Sequence, residues 1–109
     1  FCAGFAQTFD GNLFVAGGNL GERNDFYPGS RHTNLFNVET RLWSFGPEMT
    51  EGRWYPTVVA LPNKEMLIMG GSSNETTTYN HIPDVWNPET NTLRRLTEAS
   101  TQNRNVHPL

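Results

Sequence analysis

The side chains best suited to redox or metal chemistry in this chain of 109 residues are its one cysteine, Cys2, Tyr55, and three histidines, His32, His81 and His107. A thiolate is a nucleophile and a metal ligand, and imidazole suits copper and related metals. Taken singly, each has a plain structural reading. A lone cysteine behaves as a small buried hydrophobe. A tyrosine commonly lines a channel with its hydroxyl bonded to the backbone. No two of the histidines sit at a local metal-binding spacing, and all three read as loop or strand-edge residues. Arg53, close to Tyr55, could orient a polar substrate or form a structural ion pair. What these groups can do together depends on the elements that carry them.

Those elements repeat. The stretch Phe1 to Gly18 lies over the stretch Trp54 to Gly71 without a gap at an offset of 53 residues. Asp10 meets Asn63, Leu13–Ala16 meets Met66–Met69, and the pairs Gly17-Gly18 and Gly70-Gly71 coincide. Further on, Leu35–Trp43 lies over Val85–Leu93 at an offset of 50, so the second copy is three residues shorter after its diglycine. Two separate segments sharing one phase indicate a true internal repeat.

Each copy predicts four strands. First strands fall at 3–9 and 55–61, second strands at 12–17 and 65–70, third strands near 33–37 and 82–86, and fourth strands near 41–45 and 91–95. The first hairpin closes on Asp10-Gly11, a favoured two-residue turn, and its counterpart on Pro62-Asn63-Lys64. The second strands are apolar without alternation, as expected of strands covered on both faces. The diglycines let the backbone turn, or approach a neighbour where a Cβ would clash. Asn37 and Asn87 initiate the third turns, helped by Pro88.

A period near fifty residues with four strands and a diglycine predicts an all-β fold: a kelch-type β-propeller, of which this chain holds about two four-stranded blades of a larger, seven-bladed ring. Residues 1–52 form one blade, and residues 53–109 form the second and the start of the next, all within one propeller domain. The competing reading is a small β-sandwich with two chance Gly-Gly pairs. A pair of blades alone exposes two sheet faces meant for neighbours, so the isolated chain is expected to be unstable or aggregation-prone. Trp54 and Phe1 are expected to pack between blades.

The gapless offset puts Cys2 and Tyr55 at the same position of consecutive blades, just ahead of each first strand. First strands line a propeller's axis, so the thiol and the phenol should be neighbours at one mouth of the channel.

At these residues the chain resembles the copper-radical oxidases, glyoxal oxidase most of all and galactose oxidase more distantly. Phe1-Cys2 opens one blade, Gly17-Gly18 closes its hairpin, and Arg53-Trp54-Tyr55-Pro56-Thr57 opens the next. The resemblance implies that Cys2 and Tyr55 are joined by a thioether, sulfur to the ring carbon ortho to the hydroxyl. It also implies that Tyr55 is an equatorial copper ligand and the site of a radical. The implied cofactors are copper and the Cys-Tyr radical group, and the other copper ligands would lie beyond Leu109. The implied activity is oxidation of small aldehydes or primary alcohols by dioxygen, which leaves as hydrogen peroxide. A phenol stores one electron equivalent, a sulfur substituent lowers its oxidation potential, and copper(II) favours nitrogen and oxygen donors. One departure stands out. Galactose oxidase has a tryptophan stacked over the thioether eighteen residues after the radical tyrosine, and that position here is Ser73.

Bulk properties narrow the partners. Net charge is −3, and the eight basic residues are scattered, which argues against nucleic acid. One cysteine excludes an internal disulfide framework. No signal peptide and no apolar run of membrane-spanning length occur within the chain. With no methionine at position 1, the chain reads as an interior piece of a longer protein, and the sequon Asn74-Glu75-Thr76 would suit secretion. The expectation is therefore part of an extracellular enzyme, monomeric at full length and inactive as this piece alone. The alternative is a kelch propeller that binds a protein or glycan without metal, for which an in-phase Cys2 and Tyr55 would have no use.

Overall fold

The computed structural model describes residues 1–21, 28–73 and 79–102, so the sequon at Asn74 and the third histidine, His107, lie outside the described residues. Eight strands are found there: β1 (Ala3–Gln7), β2 (Leu13–Gly17), β3 (Thr33–Asn37), β4 (Leu42–Phe45), β5 (Thr57–Ala60), β6 (Met66–Met69), β7 (Asp84–Asn87) and β8 (Thr92–Arg95). They form two four-stranded antiparallel meanders, β1-β2-β3-β4 and β5-β6-β7-β8. A single 3-10 turn, Thr97–Ala99, follows β8 and has no counterpart in the sequence pattern.

The repeat is reproduced pair by pair. Gly4 faces Ala16 as Thr57 faces Met69, and Leu13 faces Phe36 as Met66 faces Trp86. Asn37 faces Leu42 as Asn87 faces Thr92. The two sheets are therefore successive blades of one architecture, and they stack as blades do. Phe14, Ala16 and Met49 of the first blade pack against Met66, Ile68 and Trp86 of the second. The Phe14 and Trp86 rings stack with centroids 4.5 Å apart. This is a partial β-propeller.

The turns differ in type from the expected two-residue form. Thr8 N–H bonds Asn12 C=O at 2.8 Å and Gly11 N–H bonds Thr8 C=O at 3.0 Å, so Asp10-Gly11 closes a longer loop with Gly11 left-handed at φ 88°. The second blade makes the same loop with Lys64 at φ 75° in the glycine's place. This is the three-residue family in which a type I turn is followed by a left-handed residue. The third turns follow expectation: Asn37 Oδ1 accepts the N–H groups of Glu39 and Thr40, and Asn87 Oδ1 that of Glu89.

β2 is covered on one face only. Phe14 and Ala16 are buried against the second blade, while Leu13 and Val15 are half-buried on the other side. That outer face carries Phe5, Phe36, Trp43 and Phe45, with Phe45 82% exposed. Phe1, expected between blades, is 94% exposed instead, because it lies with Trp43 and Phe45 on this uncovered side. Among the described residues, no helix is long and apolar enough to cross a membrane.

Candidate functional site

The seam between the blades brings Cys2 and Tyr55 together. β1 and β5 lie side by side, so close that a Cβ on Gly4 would sit 2.7 Å from the Pro56 carbonyl oxygen. Just ahead of both strands, Tyr55 N–H donates to Cys2 C=O at 3.1 Å. The two residues share one unusual conformation, left-handed backbone at φ 58° for Cys2 and 61° for Tyr55. A non-glycine residue there costs about 1–2 kcal/mol. Such strain persists only where surrounding contacts over-determine it, and it clusters at functional sites.

The side chains interact as well. Tyr55 is 40% exposed and Cys2 half-buried, so both residues reach solvent. The Tyr55 phenol is pushed above its ordinary value, first by a side-chain hydrogen bond with Cys2, then by the charge of a Cys2 thiolate, and last by burial. The Trp54 ring lies 5.0 Å from the Tyr55 ring, tilted by 46°. Ser73 is buried, and its carbonyl accepts the Gly29 N–H at 2.5 Å. An aromatic neighbour to the phenol therefore comes from Trp54, a contact that adjacency in sequence did not reveal.

Arg53 takes the structural one of its two expected roles. Its side chain is fully buried, donating from Nη1 to Gly70 C=O at 2.9 Å and from Nη2 to Ile82 C=O at 2.5 Å and Asp84 Oδ2 at 2.7 Å. Burial pulls its guanidinium below the ordinary arginine value, opposed by the hydrogen bond and charge of Asp84. No substrate can reach it. Its backbone meanwhile belongs to the seam: Gly18 N–H donates to Arg53 C=O at 2.9 Å, and Arg53 N–H to Ser30 C=O at 3.0 Å. Asp84 is the partner that sequence reasoning missed, 31 residues away. A buried arginine implies a buried carboxylate, but only the fold shows which one.

The other candidates stand apart. His32 is half-exposed, with Nε2 3.5 Å from Glu48 Oε1. His81 precedes β7, its carbonyl engaged by Thr101 N–H. A cleft of about 310 Å³ lined by Thr8, Asp10, Asn37, Trp86 and Asn91 opens at the opposite end of the strands and holds neither Cys2 nor Tyr55.

Copper(II) wants several nitrogen and oxygen donors. Among the described residues no group of three or more His, Cys, Asp or Glu converges. The pair thus fits one corner of such a centre, and further donors would have to come from outside the described residues.

No family model and no curated protein matches the chain. Among solved structures, it is similar to a fungal alcohol oxidase of the AA5 family in complex with copper. The TM-score is 0.74 at 16% identity, over 87% of this chain and 21% of that one. At this identity the likeness establishes the fold. The chain spans about a fifth of that oxidase's length.

Proposed function

We propose that this chain is part of a copper-radical oxidase and that Cys2 and Tyr55 are its redox pair. The observation that carries this reading is their meeting at one blade seam, N–H to C=O at 3.1 Å, both in the left-handed conformation. A propeller used only for binding gains nothing from a strained thiol and phenol at that point. The fold shared with a copper-bound fungal alcohol oxidase supports the same reading.

In this proposal the Cys2 sulfur joins the Tyr55 ring carbon ortho to the hydroxyl. One C–S bond forms while the S–H and ring C–H bonds break. The two protons and two electrons released pass to dioxygen, which leaves as hydrogen peroxide. Tyr55 supplies one oxygen donor, and its phenol, raised in the free state by Cys2, would be deprotonated by a bound cation. Copper, when bound, would supply the second one-electron partner that oxidation of an alcohol or aldehyde requires. The substrate class we propose is small aldehydes or primary alcohols, in the manner of glyoxal oxidase, within a secreted protein that is monomeric at full length.

Digestion and mass spectrometry of the full-length, copper-loaded protein tests this. A peptide joining the Cys2 and Tyr55 segments, lighter by two hydrogens than their sum, is expected. Its consistent absence leaves a metal-free binding propeller as the better account.

A further inference from the structure

We propose that Arg53 is a positioning residue for the Cys2–Tyr55 pair, acting through its buried ion pair with Asp84. The chemistry in this proposal rests on the oxidase reading, whereas the geometry does not.

Tyr55 holds a left-handed backbone that its side chain does not favour, so something has to impose it. Three consecutive residues do so. Tyr55 N–H is tied across the seam to Cys2 C=O. Trp54 exchanges both backbone bonds with Ser72, at 2.7 and 2.8 Å, which fixes its distance from the end of β6. Arg53 anchors both sides at once. Its backbone reaches back to Gly18 and Ser30 of the first blade, and its guanidinium reaches forward to Gly70, Ile82 and Asp84 of the second.

Among the described residues, the Arg53 side chain is the largest of those wholly removed from solvent. A planar fork can hold two carbonyls and a carboxylate together, which a lysine cannot. The anchor therefore sets where the chain enters Trp54 and Tyr55 relative to both blades. Loss of the fork frees the Trp54–Tyr55 turn to relax toward an ordinary φ, and the phenol then swings away from Cys2. Bond formation between two side chains is sensitive to displacements of an ångström.

The test compares Arg53→Met, Arg53→Lys and Glu65→Gln in the full-length protein. Glu65 is the control: its ion pair with Arg94 belongs to the same blade but lies at the far end of the strands from Tyr55. At equal folded fraction, Arg53→Met is expected to lower the yield of Cys2–Tyr55 cross-linked peptide by about tenfold or more. Arg53→Lys should recover part of it, and Glu65→Gln should leave it at the wild-type level. Hydrogen exchange at the Tyr55 amide, which needs no copper, should accelerate in both Arg53 variants and not in Glu65→Gln. A folded Arg53→Met with wild-type cross-link yield and wild-type protection at Tyr55 overturns the proposal. If Arg53→Met does not fold, Arg53→Lys decides by the same two readouts. If the wild type itself carries no cross-link, the oxidase reading fails, and the exchange comparison still decides the role of Arg53.

Discussion

Replacing Gly17 by alanine is expected to cost far more than replacing Gly11, although both glycines are left-handed. Gly17 has φ 75° and Gly11 φ 88°, so each substitution forces an L-residue into the same unfavourable region, at about 1–2 kcal/mol. Each also gains about 0.4–1 kcal/mol from a stiffer unfolded chain. These two contributions nearly cancel between the variants. What differs is space. A Cβ at Gly11 meets nothing within 4 Å, whereas at Gly17 it would lie 2.2 Å from the Arg53 carbonyl oxygen and 3.0 Å from the Pro56 ring. Backbone would have to retreat by about an ångström to restore ordinary contact, and overpacking of this kind costs about 1–3 kcal/mol, occasionally more. Gly17→Ala should therefore be less stable than Gly11→Ala by about 2 kcal/mol or more, measured by urea unfolding of the full-length protein. Since the Gly18 N–H bond to Arg53 sits beside the clash, Gly17→Ala should also lose exchange protection at Gly18. Equal stabilities for the two variants would show that the diglycine serves the turn alone and that the blades do not approach through it.

Two further expectations concern charge and surface. Glu65 is held at about 2 against its ordinary 4.5, chiefly by the hydrogen bond from Arg94, at 2.6 and 2.8 Å. A depressed carboxylate stabilises the fold above its unfolded value and stops doing so as pH falls through the folded one. Stability should thus decline from about pH 4.5 toward 2 in the wild type, and Glu65→Gln should flatten that decline in acid-unfolding curves. Separately, the double variant Trp43→Lys, Phe45→Glu should reduce light scattering by the isolated 109-residue chain, because both side chains lie on the uncovered blade face. Unchanged scattering would place the aggregation surface elsewhere.

Much of the fold was legible because its determinants are local or periodic. Cross-strand partners at Leu13, Phe36 and Trp43 recur at Met66, Trp86 and Leu93 since alternation and turn length set register together. The juxtaposition of Cys2 and Tyr55 was legible for the same reason: equal phase in a head-to-tail stack means equal height on neighbouring blades. Their backbone conformation was not. Cysteine and tyrosine carry no left-handed preference, and the φ values of 58° and 61° occur where Tyr55 N–H bonds Cys2 C=O across the seam. The burial of Arg53 was equally hidden, because its carboxylate arrives from β7. Phe1 failed as a core prediction for a simple reason. Hydrophobicity says that a residue seeks cover, not which blade will provide it.

On the reading proposed above, stability and chemistry would share one structure. The backbone bonds that fasten the first blade to the second run from Gly18 to Arg53, from Arg53 to Ser30 and from Tyr55 to Cys2, and in our proposal they also set the thiol against the phenol. A repeat makes this possible, because copying a blade copies the strained opening as well. Divergence of one side chain in each copy then suffices to place two different reactive groups at equivalent points. A single-copy fold would have to evolve two unrelated strained positions and the contact between them. Substitutions that loosen the seam should accordingly weaken the pairing of Cys2 and Tyr55 before they unfold the blades.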